Sequence, residues 1–138
     1  MRRERLNRGT YALLVRVPHT VRIPVGSLGP LTFKRGFYVY VGSALNSLRG
    51  RIARHFRRDK QVHWHIDYLT VSPSAKLIEA WASPTPRRTE CSKSRMIRKH
   101  ASESIKRFGA SDCDCYSHLH HFDSLKRVRR ILSAGGFK

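Results

Sequence analysis

The stretch "YVYVGSALNSLRGRIARHF", residues 38–56, changes its pattern half-way along. Its first part, within "FYVYVG" (37–42), is a run of aromatic and β-branched residues, which is strand chemistry. Gly42 and Ser43 punctuate it, and a basic segment follows. Asn46 is expected to cap a helix over Ser47–Arg58, in which Leu48, Ile52 and Phe56 recur at i, i+4 and i+8 as the buried stripe. Arg51 and His55 are expected along one flank of that stripe, with Arg54 and Arg58 further round. Gly50 sits inside this helix at a cost of about 1 kcal/mol relative to alanine.

Working outward, "TYALLVRV" (10–17) is apolar on both alternating faces, as in a strand covered on both sides. "HTVRIPVGSLGPLTFKRG" (19–36) mixes short β-branched runs with Pro and Gly and predicts one or two edge strands. "WHIDYL" (64–69) predicts a short helix, "AKLIEAWA" (75–82) a third strand and "SPTPRR" (83–88) a loop. Thr89 is expected to cap a further helix, and 100° per residue puts Glu90, Ser94, Ile97 and Ala101 on its inward face. The irregular "GASDCDCYSHLHHF" (109–122) and a basic helix near Ser124–Leu132 close the pattern. With no internal repeat and no long linker, the reading is a single domain over 1–138. Its fold class is α/β (α+β), a small central antiparallel sheet flanked by helices.

Twenty-eight Lys and Arg stand against nine Asp and Glu, a formal charge of +19. That exceeds what solubility needs and repels itself unless a polyanion shares the surface, so nucleic acid is the expected partner. Arg49, Arg54, Arg57, Arg58 and Lys60 form the expected phosphate-contacting strip. No segment approaches the roughly 18 apolar residues of a membrane span, and no membrane partner is expected. Three cysteines, Cys91, Cys113 and Cys115, in a chain whose basic start "MRRERLNR" leads into no secretory apolar region, predict a reducing cytoplasm.

"GTY" at 9–11, "YVG" at 40–42 and "LRGRIARHF" at 48–56 occur in the order of the GIY-YIG nuclease superfamily, which the chain resembles. With "GFYVYVGSA", "HWHIDYLT", "TEC" and "FGASDCDCYSHLHHF", the wider pattern looks like its subfamily that occurs alone or fused to endonuclease-III-like repair enzymes. The resemblance implies a structure-selective, repair-related DNA endonuclease using one Mg²⁺ or Mn²⁺, with repair enzymes as associates. It assigns catalysis to Tyr11, Tyr40, Arg51 and His55, the metal to Glu90, and structural roles in the motif to Gly9 and Gly42. The asparagine those nucleases carry late in the domain has no clear counterpart, and Asp112 and His118 are the candidates for its place.

Each residue type suits its role. Arg51 can pair with two phosphate oxygens through its planar fork. Glu90 offers the hard oxygens that Mg²⁺ and Mn²⁺ take. Either tyrosine could act as base, given a metal and an arginine to lower a phenol that ordinarily titrates near pH 10. His55 could orient water or relay a proton. The plainer readings are core tyrosines, a solvated basic flank and a Glu90 that merely suits the helix dipole.

Glu79 is the rival metal carboxylate. Sharing a strand face with Leu77 and Trp81, it is expected to be a paired acid instead. Cys113, Cys115, His118, His120 and His121 are of zinc-ligating type. Cys-x-Cys is not the usual Cys-x-x-Cys spacing, however, so the thiols are expected as small buried hydrophobes rather than a structural zinc site. Two other functions stay open: a catalytically silent DNA- or RNA-binding adaptor on the same scaffold, and a zinc-stabilised, RNA-associated basic protein.

Overall fold

The computed structural model describes residues 6–138, so the first five residues of the basic leader lie outside the described residues. Seven strands and four helices follow in order: β1 (Gly9–Val17), β2 (Val21–Pro24), β3 (Pro30–Phe33), β4 (Gly36–Ala44), α1 (Leu48–Phe56), α2 (His65–Thr70), β5 (Lys76–Pro84), α3 (Glu90–Arg98), β6 (Glu103–Ser104), β7 (Leu119–Phe122) and α4 (Leu125–Ala134). β5, β1, β4, β7 and β6 form one antiparallel sheet in that order, and β2 pairs with β3 in a separate hairpin. The architecture is α+β with the sheet in the middle, as the patterning predicts.

β1 occupies the inner position and buries every residue except Arg16. Its alternation splits the core in two. Tyr11, Leu13, Val15 and Val17 face a cluster that includes Tyr38, Tyr40, Leu48, Ile66, Leu69 and Phe108, whereas Ala12 and Leu14 face Val39, Val41, Ile97, Val128, Leu132 and Phe137. α1, α2 and the hairpin thus cover one side, and α3 and α4 the other.

Four local expectations are corrected. Ser47, not Asn46, caps α1, because its hydroxyl accepts from the Gly50 N–H at 2.9 Å. The buried stripe of α1 runs through Leu48 and His55, while Phe56 is exposed, because the His55 ring finds a polar partner inside and needs no water. Thr89 makes no side-chain cap; its hydroxyl instead meets that of Thr10 at 2.6 Å. Leu77 and Trp81 pack on opposite sides of the sheet, because a register shift in the β1–β5 pairing breaks the alternation between them.

Two glycines set the end of the sheet where the motif residues gather. Gly9 has φ +145°, and a Cβ there would lie 2.6 Å from the Ser83 carbonyl and 2.7 Å from the Thr85 nitrogen. Gly42 pairs with Tyr11 across the ladder, and a Cβ on it would lie 2.5 Å from the Tyr11 phenol carbon and oxygen. The absent side chain at Gly42 is the space the Tyr11 ring occupies.

Candidate functional site

Tyr11 from β1, Tyr40 from β4 and His55 from α1 meet on the α1 side of the sheet. The Tyr11 hydroxyl and His55 Nε2 are 2.7 Å apart, and the ring of Tyr40 lies 6.5 Å from those of both Tyr11 and His55. All three side chains are buried. Burial pushes both phenols well above the ordinary tyrosine range, with the neighbouring Arg51 working in the opposite direction. Burial, then the charges of Lys60, Arg54 and Arg51, drive His55 down to about 3, although Asp67 pulls the other way. His55 is therefore a neutral imidazole at physiological pH.

Asp67, which the sequence does not single out, organises this side. Its carboxylate is fully buried and takes both arms of the Arg54 guanidinium, at 3.1 and 3.0 Å, and the backbone N–H groups of His63 and Trp64. Burial opposes its charge, but Arg54 and those two N–H groups outweigh burial and hold it below the usual carboxylate range. Asp67 Oδ1 also stands 3.9 Å from His55 Nδ1, a buried nitrogen with no hydrogen-bond partner among the described residues. A proton on Nδ1 faces the carboxylate favourably, whereas a lone pair there would face it unfavourably. That fixes Nε2 as the acceptor and the Tyr11 hydroxyl as the donor.

Glu90 lies beyond Ser43, at the same end of the sheet but toward α3. Ser43 Oγ donates to Glu90 Oε1 at 2.6 Å, while Arg51 Nη1 donates to the Ser43 carbonyl at 3.1 Å. The other Glu90 oxygen meets His118 Nδ1 at 2.9 Å. Burial works against the Glu90 charge, but the bonds from His118 and Ser43 prevail and hold it below the usual carboxylate range. Burial likewise opposes charge on His118, yet Glu90, the Val41 carbonyl and Cys115 together raise it to about 10. A cleft of about 330 Å³ opens here, walled by Thr10, Ser43, Glu90 and Asp112 and rimmed by Arg8, Arg87 and Arg88. The cleft reaches Glu90 and Ser43, whereas Tyr11, Tyr40, His55 and Arg51 lie outside its lining.

A family model described as "Domain of unknown function DUF123" matches residues 10–135. The chain belongs to that family. No curated protein and no solved structure matches it.

The basic residues of this DUF123 chain divide into two groups. Arg54 is held by Asp67 and the Gln61 carbonyl, Arg58 by the carbonyls of Ser72 and Ala75, and Lys60 by those of Arg54 and His55. Arg49 and Arg57 are exposed, with no side-chain hydrogen bond among the described residues. Arg51 lies between the groups: its guanidinium, like that of Arg54, sits 4.5 Å from the Trp64 ring centroid. Glu79 accepts from Trp81 Nε1 at 3.1 Å and pairs with Arg129, so it is a paired acid remote from the cleft.

The histidines and cysteines sort just as sharply. His120 is bracketed by Ser94 and Ser104, and His121 by Ser102 and the Arg35 carbonyl. His65 Nδ1 accepts from the Gly109 N–H at 2.8 Å. His118 stands apart: its Nε2 looks toward Cys91 and Cys113. Cys91 comes from the first turn of α3, and only the folded chain brings it beside Cys113 and Cys115.

Proposed function

We propose that this chain is a divalent-metal-dependent DNA endonuclease of GIY-YIG type, acting at branched or interrupted duplexes. One observation carries the reading: Ser43 ties Arg51 to Glu90, through its carbonyl and its hydroxyl, at the wall of an arginine-rimmed cleft. Arg51, behind Ser43 and outside the cleft lining, is thereby held at fixed separation from the hard-oxygen ligand Glu90 on the cleft wall. Arg8, Arg87 and Arg88 attract and position the phosphodiester, and the remaining guanidinium N–H groups of Arg51 stabilise charge building on the phosphoryl oxygens.

Mg²⁺ or Mn²⁺ fits this donor set, because the Glu90 carboxylate is 28% exposed on the cleft wall and offers hard oxygens. Glu90 would hold the ion, which when bound lowers the pKa of water and neutralises phosphoryl charge. The protein groups do the rest. Tyr11 donates to His55 Nε2, so water admitted to the phenol oxygen would pass it a proton while the phenol's own proton passes to His55. Asp67 and its partners fix the His55 tautomer for that transfer.

A catalytically silent DNA-binding adaptor is the second reading, favoured by the burial of both tyrosines and by the engagement of both Glu90 oxygens. Incubation with branched, nicked and plain duplex DNA, with and without Mg²⁺ or Mn²⁺, separates the two. Metal-dependent strand scission is the expected result. Tight binding with no scission under any metal would leave the adaptor.

A further inference from the structure

The sulfurs of Cys91, Cys113 and Cys115 and a ring nitrogen of His118 all lie within 4.8 Å of one another. In a tetrahedral zinc site with Zn–S of about 2.3 Å and Zn–N of about 2.0–2.1 Å, ligand edges come out near 3.8 Å for S···S and 3.6 Å for S···N. His118 Nε2 stands 3.4 Å from the Cys113 sulfur and 3.9 Å from the Cys91 sulfur, on either side of that value. Closing the cluster around an ion requires no separation to change by more than about 1 Å.

The surroundings are also those of a ligand set. His118 Nδ1 is occupied by the Val41 carbonyl at 3.0 Å and by Glu90 at 2.9 Å, which orients the ring and leaves Nε2 to the thiols. Such a backbone or carboxylate partner on the far ring nitrogen is the usual support for a metal-bound histidine. Arg95 reaches the Cys115 sulfur at 3.6 Å, a cation placed to offset the net negative charge of three thiolates and one Zn²⁺.

The segment concerned gains most from a staple. Between β6 and β7, residues 105–118 contain no strand or helix, and Arg107 takes a positive φ of 66°. Connections that long and irregular in a compact fold usually carry a function or an anchor. The cluster ties this segment to the start of α3, where Glu90 sits, and through His118 to β4.

We propose that Cys91, Cys113, Cys115 and His118 bind one structural Zn²⁺, with all four ligand positions filled by the protein, that pins the 105–118 segment to α3 and β4 and sets the Glu90 carboxylate through His118. Binding displaces the three thiol protons and any proton on His118 Nε2. The donor set suits zinc, since three soft thiolates and one imidazole are its usual ligands, and is foreign to Mg²⁺. The site is separate in kind from the hard-oxygen position proposed at Glu90.

The test is elemental analysis of full chain purified without chelator, and it needs no DNA. About one zinc per chain is expected, together with protection of all three cysteines from a thiol reagent until a chelator or denaturant is added. Co²⁺ added to the stripped wild-type protein should give the intense visible bands and thiolate charge transfer of tetrahedral sulfur-rich coordination. That readout stays decisive if Cys91→Ser or Cys113→Ser fails to fold. Where those variants fold, zinc content should fall at least about tenfold, while the exposed His100→Ala keeps it. Zinc below about one chain in five with no cobalt spectrum, iron in its place, or a disulfide among these cysteines would overturn the proposal. None of these outcomes bears on whether DNA is cleaved.

Discussion

The Tyr11 hydroxyl donates to His55 Nε2 at 2.7 Å, joining the first strand to the basic helix through a buried bond that ends near a buried carboxylate, Asp67. The pairing explains why a histidine, rather than the neighbouring Phe56, turns inward from α1. It also makes Tyr11 the phenol whose proton has somewhere to go. Tyr40 packs beside the pair without a hydrogen bond to either residue.

Tyr11→Phe should therefore keep the fold and lose cleavage. Removing the hydroxyl strands the Nε2 acceptor, a cost of about 1–3 kcal/mol, while the ring and its packing over Gly42 persist. A preserved circular-dichroism spectrum, a modest fall in melting temperature and strand scission down by at least about a hundredfold are expected, the last being the lower end of general-base effects. Tyr40→Phe is the comparison. A larger loss of scission in Tyr40→Phe would move the base to that residue.

Acid should destabilise the fold in two stages. His55 titrates near pH 6.5 in an unfolded chain and at about 3 when folded, so between those values the unfolded state binds the extra proton. Stability from this group is full above pH 6.5 and falls on acidification by about 1.4 kcal/mol per pH unit. The contribution of Asp67, whose folded value is depressed, is full above the ordinary carboxylate range and is lost only as pH falls through that lower value. Urea denaturation from pH 7 to 4 should show a declining midpoint in the wild type and a flatter profile in His55→Asn. Parallel profiles would mean that the ring is not held neutral.

Binding and stability should separate among the arginines. Arg54→Ala leaves the buried Asp67 without its bidentate partner and should cost about 3–5 kcal/mol of stability. Arg49→Ala and Arg57→Ala should leave the melting temperature unchanged. Each should lower DNA affinity and reduce the slope of log affinity against log salt by about one. Calorimetry and binding titrations at several salt concentrations measure both. A salt slope unaffected by Arg49 and Arg57 would move the phosphate footprint to the cleft rim at Arg8, Arg87 and Arg88.

The sheet is legible in the sequence because its strands are apolar runs bounded by Gly and Pro, and burial on two faces needs no distant partner to be inferred. Helix phase is less legible. Periodicity ranks Phe56 above His55 as a core residue, since it cannot see that Tyr11 and Asp67 wait inside to satisfy the imidazole. The hydroxyl of Ser47 outcompetes Asn46 as a cap by geometry that no propensity scale resolves. The register shift opposite Leu14 and Val15 reverses the face of Leu77 for the same reason. Among the site residues, Tyr11, Tyr40, Arg51, His55 and Glu90 are visible as an ordered pattern. Asp67 and Cys91 are not, because each matters only through residues far away in the chain that folding brings to it.

Glu90→Gln tests the metal assignment most directly. The substitution preserves size, and a glutamine can still accept from His118 Nδ1 and exchange a hydrogen bond with Ser43, so the fold and any zinc content should survive. What is lost is the charge that a hard divalent cation requires, and metal-dependent scission should fall to background. DNA binding without metal should persist or tighten, because one negative charge leaves a cleft rimmed by Arg8, Arg87 and Arg88. Glu79→Gln is the matched control. It weakens the ion pair to the exposed Arg129 on the α4 side and should leave stability and scission little changed. Normal scission in Glu90→Gln with none in Glu79→Gln would place the ion on β5, and normal scission in both variants of an active wild type would remove the single-carboxylate model.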